Sequence, residues 1–207
     1  MEESFNHYLI IGLGNPGQKY QDTRHNIGFN LIDTLLDSDS MSIKFKSLYS
    51  KIEINKNPIH IIKPQTFMNE SGIAVNEISK FFKIKQENII VVYDDLDLPI
   101  GNLKIKIGGG SAGHNGIKSI EKYIETNKII KIRVGIGKPV NKGQINSHVL
   151  SKFTQNENIL LKPILEKFEQ IIEDIVLEGI SFAMNKFNSK IQWILTETNQ
   201  GGNHGFI

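Results

Sequence analysis

Apolar and polar residues fall along this chain in blocks whose spacing predicts alternating strands and helices. Residues 8–13 are apolar throughout and predict a strand. Between positions 28 and 36, Phe29, Ile32, Leu35 and Leu36 recur at helical spacing, as do Ile73, Ile78, Phe81 and Phe82 between 69 and 82. Residues 51–55 and 58–63 predict a hairpin turning at Lys56-Asn57. The unbroken apolar run 88–93 has the pattern of a strand buried on both faces. In 103–107 apolar residues alternate with Lys104 and Lys106, so that strand carries one wet, basic face. A helix is expected over 115–124, a strand over 129–136, and one long helix or a broken pair over 156–186. This alternation predicts a single α/β domain spanning 1–188, with a twisted, mixed but mostly parallel central sheet and helices on both faces. No internal repeat is present, and residues 189–207 are expected to form a polar, loosely held tail.

Composition narrows the chemistry. The chain has 207 residues, 39% hydrophobic and 22% charged, as expected of a globular protein with one sizeable core. It has no cysteine, which excludes disulfides, a thiolate nucleophile and cysteine-ligated metals, and which suits a reducing cytoplasm. The first residues are acidic ahead of a short apolar run, unlike a secretory signal, and no apolar segment approaches the ~20 residues that span a bilayer. The net charge of +2 is unevenly spread. Residues 104–142 hold nine Lys/Arg against Glu121 and Glu125, whereas 157–178 hold six acids against Lys162 and Lys167. A basic middle third of this kind offers a face to a polyanion.

Four loops at the ends of predicted elements carry the unusual residues. Gly12–x–Gly14–x–x–Gly17 matches the dinucleotide fingerprint as written, but no helix opens within it and no acid closes a second strand about 20 residues on. A tight turn presenting Asn15 and leading to Arg24-His25-Asn26 is the better account. In 64–69, PQTFMN, Asn69 stands where a helix N-cap belongs, and its amide is equally a neutral donor for a developing oxyanion. In 94–101, DDLDLPIG, Asp94 is the first residue beyond the predicted strand and is placed to orient an imidazole. Asp95 and Asp97 read as solvated or turn-capping, with a Mg²⁺-dependent nuclease as the alternative. In 108–116, GGGSAGHNG, five glycines in nine residues allow close backbone approach, although the P-loop ending is missing and Asn115 could be only a cap. With no cysteine and no Gly-x-Ser-x-Gly elbow, water is the expected attacker and His25, a residue type that titrates near neutrality, its general base. Esters suit such a site better than amides, and the rim at Lys104 and Lys106 favours a substrate bearing phosphates.

Taken in order, GLGNPGxxYxxTRHNxGF (12–29), PxTFMNxSG (64–72), YDDLDLPxG (93–101), KxKxGGGSAGHNG (104–116) and RVGIGKP (133–139) resemble the bacterial peptidyl-tRNA hydrolases. The resemblance implies a monomeric cytoplasmic enzyme that needs no metal, cofactor, membrane or obligate protein partner. It would cleave the ester joining a peptide to the 3′-terminal ribose of tRNA. By position, His25 would activate water and Asp94 orient it, Asn15 and Asn69 would bind the peptide backbone, and Asn115 would hold the water or the 3′ end. Tyr20, Asn26, Phe67, Met68 and His114 would line the substrate side, with Asn26 at the 3′ terminus, and Lys104, Lys106 and Arg133 would meet tRNA phosphates. Arg24, one of only two arginines, reads as structural. Residues 141–147 match only loosely, which leaves the cover of the cleft unassigned, and a catalytically silent RNA-binding relative remains the alternative.

Overall fold

The structure, a computed structural model, describes residues 5–36 and 40–188, so the expected tail at 189–207 lies outside the described residues. Seven strands form one sheet in the order β2-β3-β4-β1-β5-β7-β6. The strands are β1 (Tyr8–Gly12), β2 (Ser42–Lys44), β3 (Ser47–Ile54), β4 (Asn57–Pro64), β5 (Ile89–Asp95), β6 (Leu103–Ile107) and β7 (Ile130–Gly135). β4, β1, β5 and β7 run parallel, while β2, β3 and β6 add antiparallel edges. The central parallel strands are the near-continuous apolar runs of the sequence, because helices cover both of their faces.

Alternate residues of these strands feed two cores. Ile10, Ile61, Ile90, Val92 and Ile132 pack with α1 (Ile27–Leu35), α5 (Gln155–Leu177) and α6 (Ile180–Phe187) on one face. Leu9, Ile11, Val91 and Tyr93 pack with α2 (Ser71–Phe81) and α3 (Asn115–Glu121) on the other. Period-two alternation in a strand with two apolar faces is what separates the cores. The 156–186 segment is the broken pair: α5 begins with a capping box at Thr154 and Glu157, and Gly179, at positive φ, parts it from α6.

The chain leaves β1 for β4 on one side and returns to β5 on the other. The carboxyl ends of β1 and β5 therefore stand at a topological switch, the place where open α/β sheets bind ligands. Gly12, the first of the fingerprint-like glycines, and Gly28 serve this packing. A Cβ on Gly12 would collide with the Gly28 carbonyl and with Ile32, and one on Gly28 would strike the backbone at Leu13 and Val92. They let α1 lie directly on β1 and β5.

Two short elements escaped the pattern. β2 is exposed at all three of its positions and so carries no apolar signal. α4 (Ile145–Val149), in the loosely matching 141–147 region, is five residues long, too short to show helical periodicity.

Candidate active site

His25, from the β1–α1 loop, and Asp94, near the end of β5, are 69 positions apart and meet with Nδ1 of the imidazole 2.7 Å from Oδ1. A carboxylate oxygen can only accept, so Nδ1 carries the proton and the lone pair lies on Nε2. His114 brings its Nε2 to the same oxygen at 2.9 Å, while its Nδ1 accepts from the backbone N–H groups of Gly116 and Ile117 at 3.1 and 3.3 Å. The rings stand 5.0 Å apart between centroids. Burial alone would raise the Asp94 carboxyl, but the two imidazoles outweigh it and hold the group well below the usual carboxylate range. The acid is therefore ionised across the neutral range.

His25, Asp94 and His114 bring three potential ligand atoms within 4.8 Å of one another. The donor geometry does not suit a cation. His114 Nδ1 is held as an acceptor by two N–H groups at the start of α3, so Nε2 must carry the proton and has no lone pair for a metal. His114, not Asn115, is the cap of α3, which leaves the exposed Asn115 amide available.

His25 borders two adjoining cavities. One, of about 450 Å³, is lined by Asn15, Met68, Asn69, Asn115 and Asn146 as well. The other, of about 470 Å³, runs beside Asp94 and His114 toward Lys138 and Ile145. Asn15 is fixed on both sides: its Oδ1 accepts from the Met68 N–H at 2.8 Å, and Asn26 bonds reciprocally to its backbone N–H and carbonyl, each at 2.9 Å. This leaves the Asn15 side-chain NH₂ facing the cavity. Asn69 is no N-cap. A 3₁₀ turn, Met68–Glu70, precedes α2, whose N-cap Glu70 makes no side-chain cap bond, and Asn69 is exposed at the cleft.

Two expected tRNA contacts are placed otherwise. Asn26 is buried and both atoms of its amide are bonded to Asn15, so it positions Asn15 and cannot also reach a 3′ terminus. Arg133 donates to Asp95, and its side chain is only 16% exposed. Asp95 is accordingly a buried partner. It does cap the turn, accepting from the Asp97 N–H at 2.7 Å, but it is not solvated. Asp97 is exposed and pairs with Lys138. Lys104 and Lys106 lie in register with Arg133 and Lys131 on one face of β6 and β7, and among the described residues neither has an ion-pair partner. Lys131 is fully buried, donates to the Gly109 carbonyl, and is pushed down by burial from the usual lysine range. Tyr20 and Phe67 meet edge to face at 6.4 Å, with Phe67 exposed.

Arg24 is structural, as expected. Its guanidinium grips both oxygens of Glu157 at 2.8 and 2.7 Å, and donates to Ser151 Oγ and the Lys152 carbonyl at 2.6 Å. The residue next to His25 thereby ties the β1–α1 loop to the start of α5 and to the segment that follows α4.

The chain matches the peptidyl-tRNA hydrolase family over residues 9–193. It is 43% identical over 184 residues to a peptidyl-tRNA hydrolase of Alkaliphilus metalliredigens, covering 87% of this chain and 99% of the relative. It is 45% identical to one of Clostridium botulinum, covering 87% and 95%. The crystal structure of the Acinetobacter baumannii peptidyl-tRNA hydrolase superposes with a TM-score of 0.83 at 35% identity, covering 91% of this chain and 98% of that one. Among the described residues no helix is long and apolar enough to cross a membrane. By sequence and by fold, this chain belongs to the peptidyl-tRNA hydrolase family.

Proposed function

We propose that this protein hydrolyses the ester between a peptide and the 3′-terminal ribose of tRNA, with His25 as general base. The observation that carries the reading is the 2.7 Å contact between His25 Nδ1 and Asp94, which aims the unprotonated Nε2 at a cleft ringed by side-chain amides. Nε2 takes a proton from water as the water oxygen attacks the ester carbonyl, and the ionised Asp94 stabilises the imidazolium that forms. The carbonyl oxygen becomes an oxyanion, for which the NH₂ groups of Asn15, Asn69 and Asn115 are neutral donors. Collapse breaks the bond to the ribose 3′ oxygen, which leaves with the proton returned by His25. The products are free tRNA and a peptide carboxylate. Neither cofactor nor metal enters these steps, and the chain acts as a monomer in the cytoplasm, where its substrate arises.

Substrate breadth fits the same residues. Amides bind a peptide through its backbone and so disregard its sequence, and Lys104 and Lys106 can meet phosphates common to every tRNA. In a peptidyl-tRNA cleavage assay the wild-type protein should release free tRNA, and His25→Ala should do so about 10²–10⁴-fold more slowly. Equal rates would refute the assignment of the base.

A further inference from the structure

We propose that Asn146, on α4, is a further substrate-binding residue that contacts the peptide backbone of the acyl group in the cavity it shares with Asn15 and Asn69. The inference rests on the hydrolase reading and adds to it a residue from a region that the family motifs leave unassigned.

Two independent observations support it. First, Asn146 lines both cavities that meet at His25, a property it shares among the described residues with Asn115 and Val149. Its side-chain amide has no hydrogen-bond partner among the described residues, and it is exposed to the cleft. The same 450 Å³ cavity is lined by Asn15, Asn69 and Asn115. A peptide backbone offers an N–H and a C=O per residue, and a side-chain amide carries the same complementary pair. A backbone lying in this cavity is met by amides from α4 as well as from the loops around His25, whatever its side chains are.

Second, α4 is firmly mounted, so Asn146 has a defined place. His148 Nε2 donates to the carbonyls of Ile136 and Gly137 at 3.2 and 3.0 Å, which ties the helix to the end of β7. Just past the helix, the Ser151 hydroxyl donates to the His148 carbonyl at 2.7 Å. The Ser151 carbonyl in turn receives the backbone N–H of Arg24 at 2.9 Å. The element that carries Asn146 is thus bolted to the residue before His25. A side chain registered to the base in this way meets the bound acyl chain at a defined place and adds one hydrogen bond to its binding.

The test is steady-state kinetics of the full chain on peptidyl-tRNA, with deacylated tRNA as a competitive inhibitor. Asn146→Ala should raise KM about five-fold, the value of one hydrogen bond of about 1 kcal/mol, with kcat nearly unchanged. Asn146→Gln should recover part of the loss. The inhibition constant of deacylated tRNA and the melting temperature should stay at their wild-type values, because the residue is exposed and meets the peptide. An unchanged KM in Asn146→Ala overturns the inference and leaves the hydrolase reading standing. An inhibition constant that rises in step with KM overturns it too, by moving the contact to the tRNA. If wild-type protein leaves peptidyl-tRNA intact, the hydrolase reading falls and this inference with it.

Discussion

Among the described residues two pairs of histidines meet, and they have opposite fates. At the carboxyl ends of β1 and β5, His25 and His114 share one oxygen of Asp94 and border open cavities. At the amino-terminal end of β1, His7 Nδ1 lies 3.0 Å from His60 Nε2, and the Tyr49 hydroxyl lies 3.1 Å from His60 Nδ1. Phe82 stacks on the His60 ring at 3.8 Å. There the hydrogen-bond partners are an imidazole and a phenol, with no carboxylate. Burial first, then His7 and Lys51, push the fully buried His60 down to about 4. The same side chain lies against an ionised acid beside open cavities in one place, and is enclosed by aromatic rings in the other. Chemistry here is decided by the second residue of each pair of contacts.

The comparison can be broken most sharply at the acid. Asp94→Asn removes the charge that distinguishes the two pairs, and its NH₂ can donate to His25 Nδ1, driving the proton to Nε2, where the lone pair is needed. kcat should fall about 10²–10⁴-fold, while deacylated tRNA still binds as tightly as to wild type. A large loss of tRNA binding instead would make Asp94 a structural acid.

The enclosed pair is sharpened by pH. His60 is lowered in the folded protein, so between about 6.5 and 4 the unfolded chain binds more protons than the native one, and stability must fall as pH falls through that window. Denaturant unfolding should show a decline of about 2–3 kcal/mol attributable to this group. His60→Gln should flatten the decline without altering cleavage at pH 7. An equally steep decline in the variant would assign the pH sensitivity elsewhere.

The smallest effect concerns charge lying outside both pairs. Lys104→Ala and Lys106→Ala should each reduce the slope of log affinity for tRNA against log salt by about one unit at most, with kcat unchanged. Unaltered slopes would place the phosphate contacts on another face.

Much of the site was legible because its residues stand at loop junctions, where a polar side chain in an apolar context has few structural reasons to be there. His25, Asp94 and Asn15 belong to this kind, and the family motifs gave them an order. The partnerships were not legible. Nothing local announces that Asp95 neutralises Arg133 across 38 positions, or that Asn26 is consumed by the backbone of Asn15. Capping preferences pointed to Asn69 and Asn115, yet the cap of α3 is His114, a residue type that rarely serves as one. His60 lies among the apolar residues of the 58–63 stretch, where one polar side chain gives no signal of its own. Asn146 sits on a helix of five residues, shorter than any periodicity can reveal. Pattern located the elements, whereas contacts distant in sequence decided which side chains were left free to act.

The buried amine of Lys131 bears on any attempt to make this protein heat-resistant. Replacing glycine by alanine ordinarily firms a loop by restricting the unfolded chain. That route is closed at Gly108 and Gly109, which hold φ of 61° and 79°, and where a methyl group would strike the Asn127 carbonyl or the Lys106 ammonium. The segment leading to His114 instead draws its rigidity from a cation on the neighbouring strand, gripping the Gly109 carbonyl from beneath. Hardening the loop therefore means leaving its glycines alone and reinforcing the floor on which they rest.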